Sequence, residues 1–275
     1  MKGNTIKSGG RHRGVLVLAA ALCACAVAFA AAMGFSRLRE AYEEQCVIED
    51  IAEQVDISSG KMVKPDVIAE NLGLRVGTNL ARIDFAGRRE EILKKIPTLR
   101  AISITRTMPR KLRIVAEERV PVARLGLRGR KGVTGRVVDS EGMVFFCQRG
   151  THLLPTIVEP RAPGTQSGHR ISGRARAALS LVEACREPDF VELGVQDVDI
   201  SRPDYLLATL ADYSRLKIAW DGMDSPSSKS RAELERRLGQ LLRVIRSRVG
   251  MGAKIWNATL PDRIFADTQG DTPKP

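Results

Sequence analysis

A run of 21 residues without a charged side chain, Gly14–Gly34, constrains this chain more than any other feature. As an α-helix the run would be about 31 Å long at ~1.5 Å per residue, which matches the ~30 Å hydrocarbon core of a bilayer. Residues 1–13 are polar and basic. Because basic flanks stay on the cytoplasmic side, the sequence predicts a cytoplasmic tail at 1–13, a transmembrane helix at 14–34 and the bulk of the chain outside.

Two alternatives to an uncleaved anchor stay open at this point. Ala30-Ala31-Ala32 fits the small-residue site of a cleaved signal peptide, although the apolar region of such peptides is usually only about 7–15 residues. Cys23 and Cys25 half fit a lipoprotein signal, but the chain stays apolar for nine more residues beyond Cys25. The length of the run favours a membrane-spanning helix.

The stretch Ile83–Ala123 changes its apolar period from helical to strand-like half-way along. Asp84 is the expected N-cap of a helix, and Pro97 ends it, because the residue before a proline avoids the α region. Side chains on one face of this helix are apolar: Ile92, Leu93 and Ile96. Beyond Pro97 the period becomes two, with a break at Thr107–Arg110, so we expect two antiparallel strands joined by a turn.

Elements before this stretch complete a β-α-α-β-β order. Val47–Val55 is a weak strand candidate, and its acidic side chains suggest the edge of a sheet. Pro65 suits the first turn of a short helix that Gly73 would end. We therefore expect one small α+β domain over residues 46–118.

The second half of this domain and the residues just after it carry a set of residues in a defined order and spacing: Ile102, Ile104, Arg106, Pro109, Leu112, Ile114, Glu118, Arg119, Pro121, Val122 and Ala123. With this set the domain resembles the POTRA module of the bacterial division protein FtsQ, called DivIB in Gram-positive bacteria. Thr98 departs from the family, which often carries an aromatic residue after the proline.

A second, mixed β domain with flanking helices is expected at 119–266, with a polar tail at 267–275. Val137–Phe145 is a hairpin around Asp139, Ser140 and Gly142, as in FtsQ-like chains. Ser230 and Glu233 have the spacing of a capping box, which predicts the start of a helix. One face of that helix is apolar: Leu234, Leu238, Leu241, Leu242 and Ile245. Its arginines are expected elsewhere: Arg236, Arg237, Arg243 and Arg246.

The positive charge of the chain is concentrated in the POTRA-like stretch. The net charge is +12, and residues 84–131 hold 14 Lys and Arg against 5 Asp and Glu. We expect a basic patch on the first helix of that stretch, which would face an acidic partner or lipid headgroups, or remain a solvated face: Arg88, Arg89, Lys94 and Lys95. The scarcity of aromatic residues there argues against single-stranded nucleic acid.

No sequence motif of an enzyme is present. Nucleotide-binding glycine motifs and the G-x-S-x-G frame are missing, and the three His form no constellation. Asp139 and Glu141 lie in a tight turn, where Asp serves the backbone. Cys46, Cys147 and Cys185 lack ligand spacing, which leaves one disulfide possible. We expect no catalytic residues, cofactor, metal, nucleic acid or small-molecule substrate.

The resemblance implies a bitopic inner-membrane protein of the division septum. Such a protein would bind division proteins of the FtsB and FtsL type and the septal synthase complex, and so link septal assembly to cell-wall synthesis. The alternative is a POTRA-bearing secretion or outer-membrane assembly component, a class that normally continues into many barrel strands.

The resemblance also suggests where a partner docks, because FtsQ-like proteins bind small bitopic partners near the end of the β domain. The corresponding stretch is Lys254, Ile255, Trp256, Asn257, Ala258 and Thr259, followed by Arg263, Ile264 and Phe265. A terminal strand is an expected sheet edge, whose free N–H and C=O groups a partner strand would satisfy. Trp256 is either the binding anchor or part of the core; strand alternation alone leaves both open.

Overall fold

A computed structural model describes residues 9–107, 109–127, 135–160, 166–225, 227–247 and 252–267. In the first helix the side chains are described from Leu22 onward. The predicted tails therefore lie largely outside the described residues, namely positions 1–8 and 268–275.

The first helix, α1, is a single element from Gly9 to Gln45. Its described part from Leu22 to Gln45 is long and apolar enough to cross a membrane, and it includes the second half of the run at 14–34. This is consistent with a single-pass inner-membrane protein. At the carboxyl end of α1, Glu43 pairs with Arg39 and Arg82 at 2.9 and 2.8 Å.

The chain forms two compact units. The first contains Met1–Ser58, Ala69–Ala86 and Ser103–Val115, and the second contains Ser59–Ile68, Gly87–Ile102 and Ala116–Pro275. The domain boundaries expected at 46–118 and 119–266 stay predictions.

The POTRA-like segment has the expected β-α-α-β-β order. Its elements are α2 (Ile51–Gln54), β1 (Val55–Ser58), α3 (Pro65–Asn71), α4 (Phe85–Lys95), β2 (Leu99–Thr107) and β3 (Lys111–Glu118). The three strands form one sheet in the order β1-β3-β2, with β1 parallel to β3. Asp84 Oδ1 accepts a hydrogen bond from the backbone N–H of Ala86 at 3.1 Å, as expected of an N-cap.

The strand predicted at Val47–Val55 was placed too early. Residues Ile51–Gln54 form the short helix α2, because Asp50 caps it by accepting a hydrogen bond from the backbone N–H of Ala52 at 2.8 Å. The strand β1 follows the helix and begins at Val55. An N-cap aspartate before a four-residue turn offers too little periodic pattern to detect from sequence.

A mixed sheet of nine strands dominates the second unit. Its strands are β4 (Ala123–Leu127), β5 (Arg136–Val138), β6 (Val144–Phe146), β7 (Thr156–Glu159), β8 (Asp197–Asp199), β9 (Leu206–Thr209), β10 (Arg215–Ile218), β11 (Ile255–Leu260) and β12 (Arg263–Asp267). Their spatial order is β12-β11-β10-β9-β8-β7-β4-β5-β6. Two long helices accompany the sheet, α5 (Gly173–Ala184) and α6 (Ser228–Arg246). The α+β fold class is confirmed.

The core of this unit lies between one face of the sheet and the two helices. Alternate residues of the strands supply one side of it, for example Val198, Ala208, Leu216 and Trp256, which are neighbours across four adjacent strands. The predicted leucine stripe of α6 supplies the other side, and its members are buried or packed on the core: Leu234, Leu238, Leu241, Leu242 and Ile245.

Two sequence expectations about α6 were wrong. The N-cap is Ser227, whose Oγ accepts a hydrogen bond from the backbone N–H of Ser230 at 3.1 Å, so Ser230 lies inside the helix. Ser230 Oγ instead accepts from Trp220 Nε1 at 2.9 Å, in the interior. Arg237 is expected away from the apolar face, yet it is only 3% exposed. It lies three residues after Leu234 and therefore falls on the buried stripe.

Candidate docking surface

The predicted docking stretch contains one interior strand and one edge strand. The strand β11 pairs with β10 on one side and with β12 on the other, so its backbone is not available to a partner. The strand β12 ends the sheet, and within the described residues it pairs with β11 alone. The candidate edge is therefore Arg263–Asp267, and the expectation that Lys254–Thr259 forms the edge was wrong.

The side chains of β11 are mostly buried. Ile255 and Trp256 are 3% and 6% exposed, and Trp256 belongs to the core beside α6. Lys254 is exposed, Ala258 is buried, and Asn257 and Thr259 are half-buried. Of the two readings of Trp256, the structure therefore favours the core residue over the binding anchor.

The side chains of β12 differ between the two faces of the sheet. Ile264 is half-buried and packs against the core on the α6 side. Phe265 is 47% exposed and lies opposite Asn257, on the face away from α6. Arg263 is exposed and shares that face, because alternate residues of a strand point the same way. The edge thus offers one apolar and one cationic side chain beside a backbone side that no other described strand pairs with.

The first turns of α6 hold the β11–β12 hairpin from the core side. Glu233 accepts hydrogen bonds from Arg236 and Arg237, each at 2.9 Å to the Nε atom. The hydrogen bond from Arg236, helped by that from Arg237, lowers the pKa of Glu233 to about 2. Arg236 also donates to the carbonyl of Pro261 at 3.0 Å, in the turn between the two strands. Sequence reading missed this cluster, although the helical position of Arg237 could have indicated it.

Glu118 and Arg119, the adjacent pair of the family-like motif, both have structural roles. The carboxylate of Glu118 accepts three backbone N–H bonds, from Lys61, Met62 and Val63, at 2.7 to 2.9 Å. A Cβ at Gly60 would lie 2.1 Å from that carboxylate. The adjacent turn at residue 60 is therefore tied to the end of β3, and a side chain there would break the cluster.

The second residue of the pair, Arg119, reaches the β5–β6 hairpin. Its Nη1 atom lies 2.5 Å from Asp139 Oδ2, and both side chains are at most 10% exposed. Asp139 Oδ1 accepts from the backbone N–H of Met143 at 2.8 Å, as expected of a turn aspartate. Arg119 also donates to the carbonyl of Pro97 at 3.0 Å. Asp139 thus serves both the turn and a buried ion pair, which sequence alone did not indicate.

A family model and a known protein each match part of this chain. A family model described as the FtsQ-type POTRA domain matches residues 52–119. A cell division protein FtsQ of Streptomyces collinus is 25% identical over 185 residues, which cover 66% of this chain and 67% of that protein. Both matches support an FtsQ/DivIB-type protein, and residues 52–119 are similar to the FtsQ-type POTRA domain. The two matches support a cell-division protein, and the FtsQ type of the matched POTRA domain favours division over the secretion alternative.

The basic patch expected of this FtsQ-type POTRA domain lies on α4. Only Ile92 is buried on the helix, while Leu93 and Ile96 are half-buried. The four basic side chains of the patch are exposed: Arg88, Arg89, Lys94 and Lys95. Lys95 pairs with Glu91 at 2.6 Å, one turn earlier on the same helix. The patch is thus accessible, and its ligand is a matter for proposal.

Neither a metal centre nor a reactive thiol emerges from the described residues. Among them, no group of three or more His, Cys, Asp or Glu side chains could hold a metal ion. The cysteines are unpaired, and Cys46, Cys147 and Cys185 are buried. Burial raises the pKa of the Cys185 thiol to about 12, so this side chain is a poor nucleophile at neutral pH.

Proposed function

We propose that this protein is a bitopic scaffold of the divisome, which binds other division proteins and links septal assembly to cell-wall synthesis. The observation that carries the proposal is the edge strand β12, which pairs on one side only within the described residues. An unpaired strand edge presents N–H and C=O groups that a partner strand can satisfy. The work of the protein is therefore binding rather than catalysis.

The partner that fits this edge is a small bitopic division protein of the FtsB or FtsL type, and the septal synthase complex would follow in the same assembly. A strand added to β12 gains main-chain hydrogen bonds, while alternate side chains give specificity. On the face away from α6 the partner would meet Phe265 and Arg263, which suit an apolar and an acidic side chain. On the other face it would lie beside Ile264.

Co-purification from membranes tests the proposed edge. Phe265→Glu places a charge on the edge face, so retention of the co-expressed FtsB-type partner should fall at least about tenfold, because aromatic residues often dominate binding energy. Phe146→Glu is the matched control, since Phe146 is 58% exposed on β6, at the opposite end of the same sheet. Equal retention by the two variants would remove β12 from the interface.

The proposed orientation has the amino terminus in the cytoplasm and the bulk of the chain in the periplasm, at the septum. The uncharged run and its basic flank support this orientation. A periplasm-only reporter fused after Pro275 should be active, and the protein should resist carbonate extraction. A mature amino terminus near Ala32 would instead show a cleaved signal peptide.

We assign the basic patch on α4 to an acidic partner or to anionic lipid headgroups. All four cations are exposed and only one apolar side chain of the helix is buried, so the patch is not needed for the core. Replacing all four with Glu should weaken septal recruitment and leave the melting temperature unchanged. A septal signal equal to that of the wild type would identify the patch as a solvated face.

A further inference from the structure

The hairpin that presents the candidate edge contains a β-bulge. Asn257 lies opposite Phe265, but Leu260 lies opposite Arg263, so β11 has one residue more than β12 in this interval. The extra residue falls at Ala258–Thr259. A bulge changes the register of everything beyond it, because side chains alternate between faces with a period of two.

Side chains form hydrogen bonds with the backbone at the bulge. Asn257 Oδ1 accepts hydrogen bonds from both the N–H and the hydroxyl of Thr259, at 3.1 and 2.8 Å. Arg237 Nη1 donates to the carbonyls of Ala258 and Thr259 at 3.2 and 3.3 Å, and to that of Ala219. Successive carbonyls of a regular strand point to opposite sides, so one nitrogen can reach both only while the bulge is present.

The guanidinium of Arg237 is itself held in place from the helix. Glu233 fixes its Nε atom, and the same carboxylate orients Arg236 toward the carbonyl of Pro261. The side chain of Arg237 is 4% exposed, whereas that of Glu233 is 21% exposed. Arg237 thus contacts the bulge, Arg236 contacts the turn, and Glu233 holds both arginines. The bulge and the turn are the two points that determine how β12 is aligned against β11. We call Glu233, Arg236 and Arg237 the hairpin clamp.

We propose that the hairpin clamp sets the register of β12, and with it the side-chain face that an added partner strand meets. The proposal rests on the proposed docking at β12. Arg237 and Glu233 are positioning residues, because they act on the edge through β11 and lie on its core side. Their role is to make the one-residue offset at Ala258–Thr259 the stable arrangement.

The register without the bulge can be derived from the turn. If Leu260 stays opposite Arg263, then Thr259 would face Ile264 and Ala258 would face Phe265. Ala258 is directed into the core, so Phe265 would turn inward toward α6 and Ile264 would turn outward. A partner strand would then find an aliphatic side chain where the native edge offers an aromatic ring.

Hydroxyl-radical footprinting with mass spectrometry tests this register directly in the full-length protein in nanodiscs. Arg237→Lys keeps a cation but removes the Nε donor that Glu233 holds, so the ammonium is no longer positioned at the two carbonyls. Glu233→Gln removes the charge that fixes Arg237. In both variants the modification rate of Phe265 should fall at least about twofold, while that of Ile264 rises by a similar factor. Either variant alone suffices if the other does not fold.

The matched control is Arg246→Lys, which alters another arginine of α6. Arg246 binds Glu192 through two hydrogen bonds of 3.0 Å, and Glu192 lies outside the β11–β12 hairpin. This variant should keep the wild-type footprint. Unchanged rates at both positions in the clamp variants, or rates that rise together, would overturn the proposal, since a joint rise means loosening without a change of register.

Retention of the co-expressed FtsB-type partner separates the two proposals. If Phe265 and Ile264 exchange exposure and the partner is lost, both the clamp and the docking edge are supported. If they exchange exposure and the partner is retained, the clamp stands and docking at β12 is wrong. If a clamp variant loses the partner while the footprint stays native, a change of register did not cause the loss, and the proposed role of the clamp is overturned.

Discussion

The two ends of the nine-stranded sheet are treated differently by the chain. At one end, β6 is covered by residues of the same chain: Val144 donates to the carbonyl of His169 at 3.0 Å, and Gly168 donates to the carbonyl of Val144 at 2.8 Å. At the other end, β12 has no strand beyond it among the described residues. Backbone groups that are already paired, as at Val144, cannot bind a partner strand, so of the two ends described here the β12 end suits strand addition better.

Exposed aromatic side chains do not distinguish the two ends. Phe146 on β6 is 58% exposed and Phe265 on β12 is 47% exposed, so area alone would favour the wrong end. The two ends differ instead in backbone pairing, which is present at Val144 of β6 and absent beyond β12 among the described residues. The comparison teaches that a docking edge is better recognised by its free main-chain groups than by an apolar side chain nearby.

Trp256→Ala is expected to have the largest effect on stability, because the ring fills the core beside the candidate edge. Truncation of a buried Trp costs about 3–5 kcal/mol in the free energy of unfolding, whereas Phe265→Ala should cost less than about 1 kcal/mol. Urea denaturation followed by circular dichroism measures both. A small cost for Trp256→Ala together with loss of the partner would return Trp256 to the interface.

Asp139→Ala is expected to destabilise the β5–β6 hairpin, which forms the other end of the sheet. It removes the carboxylate that pairs with the buried Arg119 and holds the β5–β6 turn, which should cost about 3 kcal/mol. Ser140→Ala, an exposed neighbour in the same turn, is the control. Equal melting temperatures for the two variants would mean that the ion pair contributes little to this end.

Acid should lower the stability of the β11–β12 hairpin by protonating Glu233. The cost in the free energy of unfolding should be smaller than that of Trp256→Ala or Asp139→Ala. The pKa of Glu233 falls from its ordinary 4.5 to about 2 in the folded protein, chiefly through the hydrogen bond from Arg236. A lowered pKa contributes stability that is complete above 4.5 and is lost as the pH falls toward 2. The gap in melting temperature between wild type and Glu233→Gln should therefore be constant from pH 7 to 5.

That gap should narrow below pH 4.5 and close only below about pH 2, where the carboxylate is protonated in the folded protein as well. The expected energy is below about 1 kcal/mol, because the carboxylate is partly exposed to solvent. If the difference in melting temperature disappears already at pH 6, it arises from another titrating group and not from Glu233.

Much of the fold could be predicted from patterns that are local in the sequence. The alternation of Leu112, Ile114 and Ala116 predicts the strand β3, and the spacing of the leucines in α6 predicts its buried face. Both can be predicted because each follows from a single hydrophobic periodicity within one element. The N-cap residue of α6 could not be chosen from the sequence, because serines at 227, 228 and 230 are equally good N-cap residues. In the fold, Ser230 Oγ accepts a hydrogen bond from Trp220 in the interior, which leaves Ser227 as the N-cap.

The candidate site was harder to predict than the fold, because sheet order is a non-local property. Nothing in the stretch Lys254–Phe265 shows that β11 lies between β10 and β12, and this order decides which strand is the edge. The Arg119–Asp139 pair likewise joins side chains twenty positions apart. The buried position of Arg237 was accessible, since helical spacing places it beside Leu234 and Leu241.

Site-specific photo-crosslinking in native membranes tests the central claim most directly. A photoreactive benzoylphenylalanine at position 265 should crosslink to a small bitopic division protein, because the partner strand would lie against β12. The same group at position 146 should give no such product, because the outer side of β6 is already occupied at Val144 by backbone hydrogen bonds with Gly168 and His169. A crosslink to that partner from position 146 and none from 265 would contradict docking at the β12 end.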